Sequence, residues 1–556
     1  MIRLLLFTSL LFGTVSVWGD ERPNIVLLFS DDMGWSDIGC YGGEINTPNL
    51  DALAEGGLRF SQFYNFARCC PSRACLMSGL YPHQAGMGHM EGDYGLDAYR
   101  GQINRKCVTL AEVMKENGYS TYMCGKWHLT RNRGKQGPKD NWPRQRGFER
   151  FYGTITGAGS FYDPTTLCRE NTYITPENDV DYQPDQFYYT NAITDNAIEF
   201  LENHHQDHPQ KPYFLYVAYT TAHWPMHALP KDIEKYQGQY DVGFDQIRKN
   251  RIRKIQQLGL LKNQTEFSAA IEDWDQVAHP AWEARLMEVY AAMVDNMDQN
   301  IGKLVEAVQQ QDDFDNTLFL YFQDNGGCAE NMGRRASAKP AENLKPLGRD
   351  GLQTKIWPPM QTRDGKNVRG GPETMAGAED TYLAYGRGWA NVSNTPFREY
   401  KHWVHEGGIS SPLIAHWPKG IRARGWNHEV AHLIDIMPTL VDISNSQYPE
   451  QYHGNPIPAM EGVSLAPAFR GDSLERPGPV FWEHEGNRAI RLTDADGDWK
   501  LVSKHKRPWE LYNMSNDRVE AQDLANQQPA RVKAMAQLWQ RWADRVGCVE
   551  FNSWRK

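Results

Sequence analysis

The 556-residue sequence contains no block of lysine and arginine. Its 59 basic residues are outnumbered by 69 acidic ones, for a formal net charge of −10. A nucleic-acid binder needs a basic face to neutralise phosphates, so that class is excluded. Beyond the amino terminus there is no apolar run long enough to cross a bilayer, which argues against stable membrane insertion. Internal repeats and low-complexity tracts are missing too. Cysteine is sparse and odd in number: nine, at 40, 69, 70, 75, 107, 124, 168, 328 and 548. Nine thiols cannot all pair, so at least one is a buried free thiol or a functional group. Two familiar motifs are incomplete. Gly125-Lys126 lacks the upstream glycine and the Ser or Thr of a phosphate loop. His223 and His227 have the spacing of a helical zinc pair, but Pro225 lies between them and no Glu follows His223.

What the sequence does have begins with Arg3, an apolar run over residues 4–12, and small residues at Val17 and Gly19. This is the pattern of a signal peptide cleaved before Asp20, and it implies a secreted or periplasmic protein. A membrane anchor is the alternative, but the run is short and is followed by Gly13, Thr14 and Ser16. No lipid-attachment cysteine follows; the first is Cys40.

Five short apolar runs each border a polar cluster. Residues 25–29 lead into Ser30-Asp31-Asp32, 120–124 into Gly125-Lys126-Trp127-His128, 213–219 into Thr220-Thr221-Ala222-His223, and 318–322 into Gln323-Asp324-Asn325. The run 412–415 is instead preceded by its cluster, Lys401 to Gly408. Unalternating runs of this length suit strands buried on both faces. Helical spacing appears between them, over 110–117, 192–202 and 283–308. The alternation predicts an α/β fold, a large doubly wound, mostly parallel sheet flanked by helices. Ligands of such sheets bind beyond the carboxyl ends of the strands, where four of the five clusters would lie.

From about Arg476 the pattern changes to short antiparallel strands (480–482, 488–492, 499–502), followed by a helix over 529–546. The predicted organisation is a signal peptide at 1–19, a catalytic domain at 20–472, and a smaller carboxy-terminal α+β subdomain at 473–556. Residues 332–395 are rich in Gly, Pro, Lys and Arg with little periodicity, and their place after Asp324-Asn325 predicts a wall of the site.

The most specific segment is Cys69-Cys70-Pro71-Ser72-Arg73, continuing Leu76-Met77-Ser78-Gly79. Pro71 fits the first turn of a helix and Gly79 its end, which puts Cys69 where free N–H groups favour an anion. Taken alone, Cys69 is also readable as a disulfide partner or a reactive thiolate. Asp31, Asp32, Asp324 and Asn325 are hard oxygen donors, suited to Ca²⁺ or Mg²⁺ and not to zinc, although Asp and Asn are also common in turns.

Cys-x-Pro-Ser-Arg followed by Leu-x-Ser-Gly resembles the signature of the type I sulfatases, within the alkaline phosphatase-like superfamily. The resemblance runs from Asn24 to Leu524. The segments around Pro396–Ile409 and Ala85-Gly86-Met87-Gly88 look most like the bacterial arylsulfatase branch, although Glu399-Tyr400-Lys401 stands where that family commonly has Gly-Gly-Lys. The resemblance implies sulfate ester hydrolysis on a sulfated small molecule or carbohydrate. It implies that a maturation enzyme oxidises Cys69 to Cα-formylglycine, and that one Ca²⁺ is held by Asp31, Asp32, Asp324, Asn325 and the modified Cys69. It assigns Arg73 to steadying the formylglycine, Lys126 and Lys401 to the sulfate oxygens, His223 to the leaving alcohol, and His128 to the second hydroxyl of the aldehyde hydrate. His484, on the predicted hairpin 482–488, is expected to touch the substrate away from the sulfate. A phosphate or phosphonate monoester hydrolase on the same fold, or a non-catalytic glycan-binding homologue, are the alternatives.

Overall fold

The computed structural model describes residues 22–261, 267–268, 270–335 and 341–554. The expected signal peptide at 1–19 lies outside the described residues. Among the described residues, seventeen strands form three sheets. The main sheet contains β1 (Asn24–Ser30), β2 (Leu58–Tyr64), β3 (Ser120–Lys126), β4 (Arg150–Thr154), β5 (Leu167–Arg169), β6 (Thr172–Tyr173), β7 (Tyr213–Ala218), β8 (Thr317–Gln323), β9 (Ser410–His416), β10 (Gly425–Asn427) and β11 (Ala431–His432). Its order is β10-β2-β9-β8-β1-β7-β3-β4-β5-β6, with β11 also on β2. A two-stranded ribbon, β12 (Gln451–Tyr452) and β13 (Asn455–Pro456), follows. The carboxy-terminal sheet is antiparallel: β14 (Val480–His484), β15 (Asn487–Asp494), β16 (Gly497–Ser503) and β17 (Glu510–Asn513).

The five predicted runs are β1, β3, β7, β8 and β9. Four of them, in the order β8-β1-β7-β3, are adjacent and parallel at the centre of the sheet. Their residues are buried on both faces, which is why they do not alternate in polarity. β1 shows the consequence. Ile25, Leu27 and Phe29 face one core, and Val26 and Leu28 face the other. The second core is built with the helices Pro48–Glu55, Tyr189–Asp207 and Pro280–Gln310. The first is built with the helices Cys69–Ser78 and Leu110–Glu116, the latter opened by a capping box between Thr109 and Glu112.

β9 runs antiparallel to β8 and β2. Its amino-terminal end therefore lies at the same edge of the sheet as the carboxyl ends of its parallel neighbours. That reversal explains why its polar cluster precedes the strand.

The carboxy-terminal sheet and the helix Pro529–Val546 close over the first core instead of standing apart. Phe481, Trp482, Ile490, Leu501 and Trp542 belong to the same apolar cluster as Phe66 and Tyr81. The Phe481 and Trp542 rings stack 5.1 Å apart, and Trp542 meets Tyr81 edge-on at 5.0 Å. Between the sheets lies a buried charge network: Lys500 is 2.9 Å from Glu406 and 2.8 Å from Glu520, and Arg518 is 3.2 Å from Glu406. Within 332–395, where little periodicity is legible, the structure forms the helix Gly386–Ser393.

Candidate active site

The carboxyl ends of β8, β1, β7 and β3 deliver Asp324-Asn325, Asp31-Asp32, His223 and Lys126-His128 to one place, and the turn before β9 adds Lys401. The chain bends sharply there. Asp32, His128 and His402 all have left-handed backbone, with φ of 60°, 56° and 89°. Such conformations are uncommon for residues with a Cβ and concentrate at functional sites. Gly125, just before Lys126, has φ of 112°, and a Cβ there would stand 2.0 Å from the carbonyl oxygen of Ala218 on β7. Only glycine lets the two strand ends come this close.

Cys69 opens the helix Cys69–Ser78 and is 2% exposed. Arg68 precedes the helix with extended backbone, the Ser72 hydroxyl accepts from the Phe66 N–H at 2.8 Å, and Gly79 ends the helix in left-handed conformation. Ligand atoms of Asp31, Cys69 and Asp324 lie within 4.8 Å of one another. Arg73, wholly buried on the same helix, donates to Asp324 at 2.9 Å, to the Lys126 carbonyl at 3.1 Å and to the Tyr216 hydroxyl at 3.3 Å.

The buried carboxylates are held apart by cations. The Lys126 ammonium pairs with Asp31, and Lys401 lies 2.8 Å from Asp32. The Asn325 amide donates to Asp32 at 2.7 Å. His223 Nε2 is 3.5 Å from Lys401 Nζ and 3.5 Å from Asp32, and its Nδ1 is 2.7 Å from the Trp224 carbonyl. Burial and the neighbouring Asp324 push the Asp31 carboxyl well above its usual range, against Lys126 and Arg73. Burial acts the same way on Asp32, but the Lys401 ammonium outweighs it and holds that carboxyl low. Burial, with Lys401 and Lys126 close by, pushes the His223 imidazole down to about 3. Burial would also lower His128, yet Cys70 and Glu91 prevail and raise it.

Two oxygens in this cluster, Asp31 Oδ1 and Asn325 Oδ1, are buried without a hydrogen-bond partner. Buried acceptors are rarely left so, and an unmet oxygen in an all-oxygen donor set is what a hard cation satisfies.

Every expected residue except His484 meets at this edge of the sheet. His484 is fully buried, ring to ring with His402 at 5.6 Å and His89 at 5.9 Å. Any influence it has on a bound molecule passes through its neighbours. The sequence reading missed Glu91, 3.6 Å from His128 Nε2, and Glu330, which pairs with Arg68 at 3.0 Å and accepts from the Trp224 indole at 2.8 Å. It also missed Gly157, where a Cβ would fall 2.0 Å from the His128 ring. The 332–395 stretch does flank the site: Tyr382 packs on Trp224 at 5.9 Å, and Trp224 lies against His223 at 4.2 Å. None of the nine cysteines is disulfide-bonded.

The family model described as Sulfatase matches residues 23–446, and one described as N-sulphoglucosamine sulphohydrolase, C-terminal, matches 398–546. An uncharacterized sulfatase of Schizosaccharomyces pombe is 30% identical over 558 residues, 95% of each chain. An arylsulfatase of Klebsiella aerogenes is 30% identical over 471 residues, covering 83% of this chain and 94% of that one. Among solved structures, Ps i-CgsB in complex with k-i-k-neocarrahexaose superposes with a TM-score of 0.63 at 23% identity, covering 94% of this chain and 93% of the other. The fold, the strand-end cluster and these matches agree that the chain belongs to the sulfatase family and is a sulfuric ester hydrolase.

Proposed function

We propose that the chain hydrolyses aryl or carbohydrate sulfate esters with Cys69 oxidised to Cα-formylglycine and one Ca²⁺ held by Asp31, Asp32, Asp324 and Asn325. The observation that carries this reading is the pair of orphaned oxygens, Asp31 Oδ1 and Asn325 Oδ1, in a cluster that also holds Cys69. The ion would supply positive charge where negative charge develops on sulfate. The modified side chain would supply a hydrated aldehyde, whose second hydroxyl gives the covalent product a way to break down that serine or cysteine lacks.

The chain's own residues do the rest. Arg73 is locked by Asp324 and the Lys126 carbonyl, and so fixes the helix that carries Cys69 against β3 and β8. Lys126 and Lys401 are the two buried ammonium groups available to an incoming sulfate, which would draw them from Asp31 and Asp32. His223 is kept neutral by burial. Its Nε2 is close enough to the charged Lys401 for the pair to pass a proton to the leaving alcohol. His128, supported by Glu91, is the base for the second hydroxyl. The apolar run over residues 4–12, read as a signal peptide, supports a secreted or periplasmic location. No helix among the described residues is long and apolar enough to cross a membrane.

Carbohydrate sulfate esters are favoured by the company the chain keeps. An N-acetylgalactosamine-6-sulfatase of Mus musculus is 24% identical over 539 residues. A structure in complex with its substrate D-glucosamine-2-N,6-O-disulfate superposes with a TM-score of 0.59 at 20% identity. The test is a mass spectrum of the peptide containing position 69, with parallel assays on matched sulfate, phosphate and phosphonate esters. Activity with an unmodified thiol throughout would overturn the nucleophile. Preference for phosphorus esters would overturn the substrate, and inactivity on every ester would leave glycan binding as the function.

A further inference from the structure

Beside the strand-end cluster lies a second group of ligating side chains. It joins the turn between β14 and β15 to the segment just after Lys401. His402, His484 and Glu485 each offer a ligand atom, and the three atoms lie within 4.8 Å of one another. His402 Nδ1 is 3.1 Å from Glu485, and His484 Nε2 is 3.9 Å from it. His89 Nε2 approaches Glu485 at 2.8 Å from outside the trio. Arg68, whose charge acts on His402 and His484, is already engaged by Glu330 at 3.0 Å.

The second observation is His484 itself. Its side chain is 0% exposed, and neither ring nitrogen has a hydrogen-bond partner. A wholly buried imidazole normally finds at least one. A π-stack on His89 satisfies the ring faces but not the nitrogens. Glu485, the carboxylate between the two imidazoles, is held with left-handed backbone at φ of 51°, an uncommon conformation for a residue with a Cβ.

We propose that His402, His484 and Glu485 form a metal site for a divalent transition ion of the zinc class, separate from the all-oxygen cluster. Two imidazoles and a carboxylate are the donor set zinc takes, with a fourth position left for water or a ligand oxygen. The three ligand atoms lie within 4.8 Å of one another, and zinc bonds of about 2 Å would draw them together. His402 and Glu485 keep 28% and 21% of their side chains exposed, which gives the ion a way in. His89, bonded to Glu485, orients that ligand as outer partners do at metal sites. Because His402 follows Lys401 directly, the ion would tie the carboxy-terminal hairpin to the edge of the catalytic cluster.

The test uses the untagged full chain, stripped with chelator, supplied with Zn²⁺, desalted and measured by elemental analysis. Cobalt is substituted in parallel to read coordination from its visible spectrum. The expected result is one zinc per chain, a tetrahedral cobalt spectrum, and loss of both in His484→Ala. His89→Ala should weaken zinc binding by ~10–100-fold. Asp324→Asn should retain the zinc, because the calcium cluster is a different site. Should His484→Ala fail to fold, His402→Ala, at a partly exposed position, is read in its place. Wild-type protein without zinc, or equal uptake by the His484 and His402 variants, overturns the proposal. So does zinc that is lost in Asp324→Asn and kept in His484→Ala.

Discussion

The molecule buries charge in two places and treats it differently. At the strand ends, Asp31, Asp32 and Asp324 face Arg73, Lys126 and Lys401, yet Asp31 Oδ1 and Asn325 Oδ1 stay without partners. At the junction of the two sheets, Glu406 is saturated. It accepts from Lys500 at 2.9 Å, Arg518 at 3.2 Å, Tyr64 at 2.9 Å and Ser410 at 3.0 Å. Both regions are buried. The first is a site prepared for something to enter, and the second is a joint. At these oxygens the difference is one of satisfaction rather than of residue type, since each region contains carboxylates, lysine and arginine. The Glu520 oxygen at the joint that lacks a hydrogen bond still lies 2.8 Å from the Lys500 ammonium.

Four experiments sharpen or break that contrast, in order of expected effect on turnover. Cys69→Ala should abolish turnover while circular dichroism and melting stay close to wild type, because it removes the nucleophile's precursor and leaves the helix. In active wild-type protein the Cys69 side chain should be roughly 18 Da lighter than a thiol, as the covalent mechanism requires. Chelation should come next, removing nearly all activity, with Ca²⁺ restoring it better than Zn²⁺. Full activity in protein shown by elemental analysis to be metal-free would mean the orphaned oxygens need no ion. Gly157→Ala should lower kcat by ~10–100-fold, since displacing a general base by even an ångström is costly. The added methyl would occupy space the His128 ring now fills. An unchanged kcat would show that His128 tolerates displacement. Lys500→Met belongs to the joint and should leave kcat per folded molecule within a factor of about two while destabilising the chain. Removing one member of a buried ion pair costs ~3–5 kcal/mol. If this variant instead loses turnover without losing stability, the joint is part of the site and the contrast fails.

Much of the site was legible because a buried strand has no polar residues to spare. Asp31, Asp32, Lys126, His223, Asp324 and Asn325 stand out where an apolar run ends, and each end lies at one edge of the sheet. Lys401 kept the same logic in reverse because β9 is antiparallel. Glu91, Glu330 and Gly157 were illegible for the opposite reason. They sit on irregular loops, and their roles arise from contacts distant in sequence: Glu91 to His128, and Glu330 to Arg68. The helix Gly386–Ser393 was hidden by two glycines in eight residues, held there by packing such as that of Trp389, which is fully buried. The hairpin carrying His484 was placed correctly as a turn between strands, but alternation could not show that its histidine points inward.

The shared core also sets an order of events during synthesis. The helix that begins at Cys69 leaves the ribosome early. Phe481 and Trp542, which belong to the same apolar core, and Lys500 and Arg518, which lock Glu406 five residues beyond Lys401, are made near the end. Until then the core that backs the Cys69 helix has no lid, and the proposed modification of Cys69, 2% exposed in the finished fold, would fall in that interval. Completion of the carboxy-terminal sheet would then act as a deadline for that proposed conversion, since the finished fold buries position 69.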